Sequence, residues 1–322
     1  MTILVAGGAG YIGSHTVKHL LQEGFDVITL DNFSSGKREL VTGGKIIKAD
    51  LMDKEAITEV FKMHDIHAVL HFASLIQVGE SYINPQKYFQ HNLITSLNLL
   101  EVMLEFNVKN FIFSSSAAVY GIPESSPITE SHPLRPCNPY GETKFFVETI
   151  LKDYARAYDL KFISLRYFNA AGADPEGQIG EMHEPETHVI PNILLFLLGR
   201  KDNFNLFGTD FPTPDGTAIR DYIHVSDLAS AHVLALKRLL QSPQSEFINL
   251  GANKGYSVLE IIRKTEEITG IAVQFTPKPR REGDVPILLA SKEKAEQILG
   301  WTLQFSDIET IIETAWNWHR KR

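Results

Sequence analysis

The sequence predicts an α/β protein built on a doubly wound parallel sheet, with a smaller mixed α/β domain attached. In the first half of the 322 residues, short apolar runs rich in Val, Ile and Leu alternate with amphipathic stretches of helical length. A glycine-rich turn follows the first run, and the alternation gives way to a long polar loop after about residue 170. This alternation is typical of βαβ units, in which helices cover both faces of a parallel sheet.

The strands of the large sheet are predicted from these apolar runs, at 2–8, 26–31, 45–50, 68–74, 110–116 and 162–168. The helices between them are predicted at 12–23, 53–63, 88–106 and 140–158. Ligands of such sheets bind beyond the carboxyl ends of the strands. The residues that follow each strand are therefore the first candidates for a functional site.

The second half opens with the loop AAGADPEGQIGEMHEPETH, whose length and polarity indicate a cover over a site. Further elements are predicted at 190–199, 204–208, 219–238, 246–250, 257–269, 291–299 and 306–318. The helix within 219–238 is expected to be capped by Ser226. We expect a first domain of residues 1–170 with about 218–245, and a second domain of residues 171–217 and 246–322.

Composition argues against several classes of protein. The net charge is −8 and the one basic run is at residues 319–322, which disfavours nucleic acid as a partner. The single cysteine, Cys137, allows no disulfide within the chain and is typical of a reducing compartment. The N-terminus does not resemble a signal peptide, and no window approaches the roughly 20 apolar residues of a membrane span. We expect a cytoplasmic protein without membrane partners.

The glycine-rich turn AGGAGYIG places Gly7, Gly10 and Gly13 between the first strand and the first helix. In a Rossmann sheet such glycines allow a tight turn, close approach to a pyrophosphate and close packing of helix on strand. The helix N-terminus then presents N–H groups to the phosphates. Asp31 ends the second strand, where a carboxylate binds the ribose hydroxyls of NAD and repels the 2′-phosphate of NADP. The cofactor predicted is NAD.

The stretch PYGETK places Tyr140 and Lys144 four positions apart, on one face of a predicted helix. A neighbouring cation favours the phenolate, so we expect Lys144 to lower the pKa of Tyr140. A phenol tuned in this way can act as general acid and base. The spacing alone carries little weight, because such pairs also arise by chance.

Several stretches together resemble the extended short-chain dehydrogenase/reductase family, and within it the 4-epimerases that interconvert UDP-galactose and UDP-glucose. They are AGGAGYIGSHT, FSSSAAVYG, PYGETK, LRYFNAAGA, GTAIRDYIHVSDLA and RREGD, and the likeness covers nearly the whole chain. The resemblance implies that Tyr140 is the acid–base residue and that Lys144 tunes it and binds the nicotinamide ribose. It also implies that Ser116 helps to pass the proton.

The implied reaction inverts the sugar at C4 through a transient 4-keto intermediate, with NAD bound throughout. The first domain would hold NAD and the second would hold the UDP-sugar. The resemblance also implies a homodimer in which helices 88–106 and 141–158 pair across a two-fold axis.

The resemblance carries contacts over position by position. Those to the cofactor are Gly7, Gly10, Tyr11, Ile12, Gly13, Asp31, Asn32, Asp50, Leu51, Phe72, Asn92, Tyr140, Lys144 and Phe168. Those to the substrate are Ser116, Tyr140, Asn169, His188, Phe207, Arg220, Arg281, Asp284 and Leu288.

Three positions depart from the family pattern. Ile76 stands where a lysine near the pyrophosphate is found, and His188 stands where a substrate-binding Asn is common. Leu288 occupies the position at which family members carry Tyr or Cys and thereby exclude or admit 2-acetamido sugars. Leu is intermediate in size, so tolerance of UDP-N-acetylhexosamines stays open.

Other functions were weighed against this one. A nucleotide-sugar 4,6-dehydratase needs an Asp-Glu pair after the serine of strand five, where this chain has Ala117 and Ala118. A UDP-glucuronate 4-epimerase differs in its sugar carboxylate pocket, which the sequence resolves only through overall likeness. A non-catalytic NAD-sensing protein would not need the Ser–Tyr–Lys group.

A metal site at His183 and His188 is not expected from the sequence. The stretch HEPETH lacks the HExxH spacing, and Pro185 would break the helix that places two ligands on one face.

Overall fold

The computed structural model describes residues 1–281 and 283–322; Glu282, in the RREGD stretch, lies outside the described residues. The strands are β1 (Thr2–Ala6), β2 (Asp26–Asp31), β3 (Lys45–Lys48), β4 (Ile66–His71), β5 (Asn110–Ser116), β6 (Lys161–Tyr167), β7 (Asn169–Ala171), β8 (Asn205–Phe207), β9 (Ile219–His224), β10 (Glu246–Leu250), β11 (Gly255–Ser257), β12 (Thr276–Lys278) and β13 (Ile287–Leu288). The helices are α1 (Tyr11–Gln22), α2 (Lys54–Met63), α3 (Val78–Ile83), α4 (Pro85–Glu105), α5 (Pro139–Tyr158), α6 (Val189–Leu197), α7 (Val225–Gln241), α8 (Val258–Thr269), α9 (Glu293–Leu299) and α10 (Ile308–His319).

A sheet of seven parallel strands forms the centre of the fold, in the order β10-β6-β5-β4-β1-β2-β3. Val5 of β1 pairs with Thr29 on one side and with Leu70 on the other. The strand order reverses between β1 and β4, and such a switch point is where doubly wound sheets bind ligands. The predicted parallel sheet is confirmed.

Helices cover both faces of this sheet because successive side chains of a strand point to opposite sides. Ile3 and Val5 pack into a core with α1 and α7, whereas Leu4 and Ala6 pack into a second core with α2, α4 and α5. Both faces are therefore sealed from water, which leaves the carboxyl edge of the sheet as the accessible place for chemistry.

The second half of the chain forms a smaller layer with its own core, which α6, α8 and α10 line. Strands β11, β9 and β13 pair in that order, β7 joins β9, and β12 pairs with β8. The short elements α3, β7, β11, β12 and β13 were not predicted.

The predicted domain boundaries are wrong for two strands. The strand β9, assigned to the first domain, lies in the small sheet, and β10, assigned to the second, forms the edge of the large sheet. Helix α9 likewise packs on the large-sheet core through Ala295 and Leu299. The reason is that short apolar strands look alike in either sheet, so the sequence could not show which sheet each one joins.

One predicted cap is also wrong. Helix α7 begins after His224, whose side chain accepts the backbone N–H of Ser226, so Ser226 is the capped residue and not the cap. Among the helices of the described residues, none combines the length and the apolar character that crossing a bilayer requires.

Candidate active site

The glycine-rich turn is shaped by close backbone approaches that exclude a side chain. Gly7 has φ +80°, and a Cβ there would lie 2.5 Å from the backbone nitrogen of Ala73. A Cβ on Gly13 would lie 2.3 Å from the carbonyl oxygen of Gly7. A Cβ on Gly10 would approach only that same oxygen, at 3.4 Å, so Gly10 borders open space. The turn thus leaves room for a ligand at its middle glycine.

Helix α1 begins directly at this turn. Gly10 is its N-cap, and Tyr11 and Ile12 form its first turn. The N-terminus of a helix presents unpaired N–H groups and a partial positive charge, which together favour a phosphate. The Tyr11 hydroxyl donates to the carbonyl oxygen of Gly172 at 2.6 Å, so this residue also ties the turn to the loop after β7.

Asp31 stands at the carboxyl end of β2, next to the same turn. Its carboxylate accepts the N–H groups of Ala9 at 3.0 Å and Phe33 at 2.8 Å. Burial raises the pKa of Asp31, and these two N–H donors act against that shift. A Cβ on Gly36 would lie 2.9 Å from the carboxylate, so the loop that follows β2 is pressed against it.

Asn32 and Asp50, at the ends of β2 and β3, are joined by a hydrogen bond from Asn32 Nδ2 to Asp50 Oδ2 at 3.0 Å. The N–H of Met52 and then Asn32 hold the pKa of Asp50 below its usual value. The neighbouring Leu51 is buried. Asn32, Asp50 and Leu51, three predicted cofactor contacts, therefore lie together where β2 and β3 end.

Phe72 and Asn92 lie near the end of β4. Phe72 is half-buried against the ring of His232, with the ring centroids 4.7 Å apart. Asn92 is 3% exposed, and its side-chain N–H groups donate to Leu75 O and Thr143 Oγ1, each at 3.1 Å. Its amide oxygen accepts the N–H of Leu75. Asn92 thus ties the loop after β4 to helix α5. Ile76, in this loop, is exposed.

The Ser–Tyr–Lys group comes together where β5 ends and α5 begins. Ser116 is the last residue of β5, and Tyr140 and Lys144 lie in the first two turns of α5. A Cβ on Gly141 would lie 2.5 Å from the carbonyl oxygen of Ala118, so the helix begins in close contact with the chain that follows β5. Lys144 Nζ donates to Ser114 O at 2.9 Å, which anchors the lysine to that strand.

The expected lowering of the pKa of Tyr140 by Lys144 is wrong for the protein's own groups. Tyr140 is 9% exposed, and burial raises its pKa, while a hydrogen bond with Ser116 lowers it in part. Lys144 Nζ lies 5.8 Å from the centroid of the Tyr140 ring. Burial lowers the pKa of Lys144 to about 7, although the Glu148 carboxylate acts to raise it. Both side chains of the pair are buried, and burial disfavours the charged form of each.

Four of the predicted substrate residues, from the smaller layer and its loops, come together at Asp284. Arg281 Nε lies 3.1 Å from Asp284 Oδ2, and Arg220 Nη2 lies 3.9 Å from Asp284 Oδ1. The guanidinium of Arg281 also lies over the ring of Phe207, 5.4 Å from its centroid. Burial lowers the pKa of Arg220, and Asp284 acts to raise it. Two forked cations beside an aromatic ring are well suited to a diphosphate and a base.

Three other predicted residues border these groups. Leu288 of β13 pairs with Arg220 in the parallel ladder and packs, with Phe168, on the cluster of Val119, Tyr120 and Ile128. Asn169, at the start of β7, donates to the carbonyl oxygen of Asp221 at 2.9 Å.

His188 is instead engaged by its own loop. Its Nδ1 is hydrogen-bonded to Glu181, and so is Nδ1 of His183, at 2.8 Å. No helix spans His183 and His188; an irregular loop brings the two imidazoles to the same carboxylate. Glu181 and Glu186, which complete the group, were missed by the sequence reasoning, since no spacing rule covers such a loop.

One sheet edge thus carries a glycine-rich turn at a helix N-terminus, a carboxylate at the end of β2 and a buried Tyr–Lys pair. That edge defines the class: an enzyme that does redox chemistry with a nicotinamide dinucleotide. Residues 3–251 match the profile described as the NAD dependent epimerase/dehydratase family, and the chain belongs to that family.

Individual relatives match almost from end to end. A UDP-glucose 4-epimerase of Lacticaseibacillus casei is 49% identical over 99% of this chain and 97% of its own. The UDP-glucose 4-epimerase of Brucella ovis in complex with NAD has a TM-score of 0.95 and 44% identity, over 98% of this chain and 97% of its own. The enzyme of Bifidobacterium longum in complex with NAD+ and UDP has a TM-score of 0.95 and 39% identity, over 100% and 98%.

Proposed function

We propose that this protein is a UDP-galactose/UDP-glucose 4-epimerase that works with bound NAD. The observation that carries the proposal is that Ser116 and the buried Tyr140 and Lys144 lie at the sheet edge that also bears the glycine-rich turn. The names and bound ligands of relatives that match nearly the whole chain support it.

The residues present fit NAD. Backbone contacts at Gly7 and Gly13 hold the turn closed, Gly10 leaves its centre open, and α1 directs its N-terminus there. Asp31 holds a carboxylate at the place where ribose hydroxyls are bound in such sheets. When bound, NAD accepts the hydride from the sugar and returns it.

The chain's own residues handle the proton and the sugar nucleotide. Tyr140 takes the proton of the 4-hydroxyl and gives it back, with Ser116 hydrogen-bonded to the phenol. Arg220 and Arg281 bind the diphosphate, and Phe207 lies against the uracil. In this division the large sheet holds the cofactor and the small sheet holds the substrate. His188 is the predicted substrate contact that the geometry supports least, because Glu181 engages its imidazole.

The decisive experiment mixes the purified protein with UDP-galactose and adds no cofactor. An epimerase that retains NAD forms UDP-glucose until the two sugars reach equilibrium, because the reaction is redox-neutral. Conversion of UDP-glucuronate but not of UDP-galactose would assign the protein to the uronate epimerases. If the protein contained NAD but converted neither sugar, the proposal would be refuted. The non-catalytic NAD-sensing function would then be the remaining alternative.

Leu288 is expected to set the tolerance of 2-acetamido sugars. It lies half-buried beside Arg220, so a larger side chain there would reduce the space next to the sugar nucleotide. Leu288→Tyr should lower kcat/KM for UDP-N-acetylgalactosamine about tenfold more than that for UDP-galactose. The control is Ile287→Tyr, because alternation along the strand points residue 287 to the other face. Equal losses on both sugars in Leu288→Tyr would show that this residue does not control the tolerance of 2-acetamido sugars.

We also propose a homodimer in the cytoplasm. The location rests on the single cysteine, which is typical of a reducing compartment. The dimer rests on the resemblance and on the apolar outer surface of α4 and α5, where Ile94 is 38% and Phe146 is 43% exposed. The ring of Phe89 lies beside that of Phe146, with the centroids 6.1 Å apart, so the two helices share this surface.

Phe146→Arg should convert the dimer to monomers, because it places a charge in the middle of the proposed interface. Phe275→Arg is the matched control, since Phe275 is an exposed aromatic residue outside both α4 and α5. Sedimentation equilibrium reports the mass of each variant. A dimer that persists in Phe146→Arg would place the interface elsewhere.

A further inference from the structure

The loop that precedes α6 gathers four metal-ligating side chains, one of which is the predicted substrate contact His188. They are Glu181, His183, Glu186 and His188, and one ligand atom from each lies within 4.8 Å of all the others. Glu181 Oε1 is the shared centre, since both histidines direct Nδ1 toward it. The two rings stand nearly perpendicular, at 81°, with their centroids 5.3 Å apart. The four donors are therefore close enough together to share one ion.

The two carboxylates of this group require positive charge nearby because both are buried. Glu181 is 4% and Glu186 is 8% exposed, so two carboxylates are buried side by side. Glu186 accepts the backbone N–H groups of Thr187 and His188, and neither of these carries a charge. Protonated imidazoles that hydrogen-bond to Glu181 could compensate the two anions, and so could a divalent cation. A divalent cation at the centre would balance both carboxylates and take the imidazole lone pairs.

We propose that these four residues bind a zinc ion. Two imidazole nitrogens and two carboxylate oxygens are donors that zinc takes in four-coordinate sites, at about 2.0–2.2 Å. Donors at that distance from a tetrahedral centre lie roughly 3.4 Å apart. This value falls between the 2.8 Å from His183 Nδ1 to Glu181 Oε1 and the 4.8 Å within which all four ligand atoms lie. Calcium and magnesium prefer oxygen ligands throughout, so the two histidines select against them.

The site is structural, because four protein ligands fill a tetrahedral zinc and leave no position for a substrate. The groups around it show what the ion holds in place. Trp318 Nε1 donates to the backbone oxygen of Glu181 at 3.0 Å, and the ring of His183 packs edge-on against Tyr11, 6.0 Å between centroids. Zinc would thus stabilise the contacts of this loop with α10 and with the start of α1, next to the glycine-rich turn.

The test measures metal on the full-length holoenzyme. The protein is stripped with a chelator, equilibrated with micromolar zinc, freed of excess and measured by mass spectrometry of the metal. We expect about one zinc per chain. Cobalt(II) added to the stripped protein should give the visible absorption bands of a tetrahedral complex, a readout that requires no substitution.

His183→Ala should weaken zinc binding by more than the roughly 10–100-fold that loss of an outer-shell partner costs. His67→Ala is the matched control, because His67 is another half-exposed histidine beside a carboxylate, 3.7 Å from Asp65. It should bind zinc as the unchanged protein does. Less than a tenth of a zinc per chain in the unchanged protein, together with no tetrahedral cobalt spectrum, would overturn the proposal and leave a proton-sharing cluster. Equal zinc binding by His183→Ala would overturn it as well.

Discussion

Replacing Tyr140 by Phe is expected to lower turnover of UDP-galactose by about 10²–10⁴-fold while the protein keeps its fold and its NAD. The substitution removes only the phenolic oxygen from a side chain that is 9% exposed. Packing of the ring is unchanged, whereas the acid–base group of the proposed reaction is lost. The check is the rate of UDP-glucose formation, measured together with the NAD released per chain on denaturation.

The size of this effect follows from the pKa values around the phenol. Burial raises the pKa of Tyr140 and lowers that of Lys144 to about 7. Near neutral pH the lysine can therefore carry its proton or lose it, and its charged form favours the phenolate. A Phe at position 140 can neither give nor take a proton. It also removes the hydrogen bond between the phenol and the hydroxyl of Ser116.

The matched control is Tyr158→Phe, the same chemical change near the other end of the same helix. Tyr158 is 50% exposed, and its ring contacts Tyr154, so loss of its hydroxyl should change neither turnover nor bound NAD. If Tyr140→Phe retained NAD and worked within about tenfold of the unchanged enzyme, Tyr140 would not be the acid–base residue. Loss of NAD in that variant would instead show that the phenol contributes mainly to cofactor binding.

The large sheet could be predicted from the sequence because its signals are local. Each of its first six strands is a run of β-branched and other apolar residues, and each helix between them is an amphipathic stretch of ordinary length. The glycine-rich turn and the pair of Tyr140 and Lys144 are equally local, since they need only a strand end or one turn of helix. These predictions required no knowledge of which distant segments meet.

The rest depends on contacts between distant segments. Strands β9 and β10 pair with strands far away in the chain, and these partners decide which sheet each one joins. A short apolar strand fits the large sheet as well as the small one. Asn92 shows the same limit within the site, because its hydrogen bonds to Leu75 and Thr143 come from a loop and a second helix. The Glu181 group depends on an irregular loop, for which the sequence offers no period to read.

Glu148→Ala is expected to lower the free energy of unfolding by about 3–5 kcal/mol, the largest effect on stability we predict for a single substitution. Glu148 lies one turn after Lys144 on α5 and forms an ion pair with Arg166 of β6, whose side chains are 1% and 2% exposed. Arg166 Nε and Nη2 donate to the two carboxylate oxygens at 2.9 and 2.6 Å. The sequence did not reveal this pair, since it joins a helix to a strand eighteen residues away.

The cost is high because the partner left behind cannot reach water. The carboxylate also accepts the hydroxyls of Ser115 and Ser164, so truncation leaves two more donors unsatisfied. Arg166 would keep only its hydrogen bond to Tyr120, at 2.9 Å, with its charge buried. Urea unfolding of the holoenzyme, followed by circular dichroism, measures the change in midpoint and slope.

A second substitution separates the ion pair from simple loss of packing. Adding Arg166→Met to Glu148→Ala removes the stranded charge, so the double variant should recover much of the loss and be more stable than Glu148→Ala alone. Asp153→Ala breaks an exposed pair with Arg156 on the same helix and should cost less than about 1 kcal/mol. A double variant less stable than Glu148→Ala would mean that the pair stabilises the fold beyond what its buried charges cost. Because Glu148 also raises the pKa of Lys144, the same substitution should leave fewer cationic lysines beside Tyr140 at neutral pH, which links the stability of α5 to the tuning of the phenol.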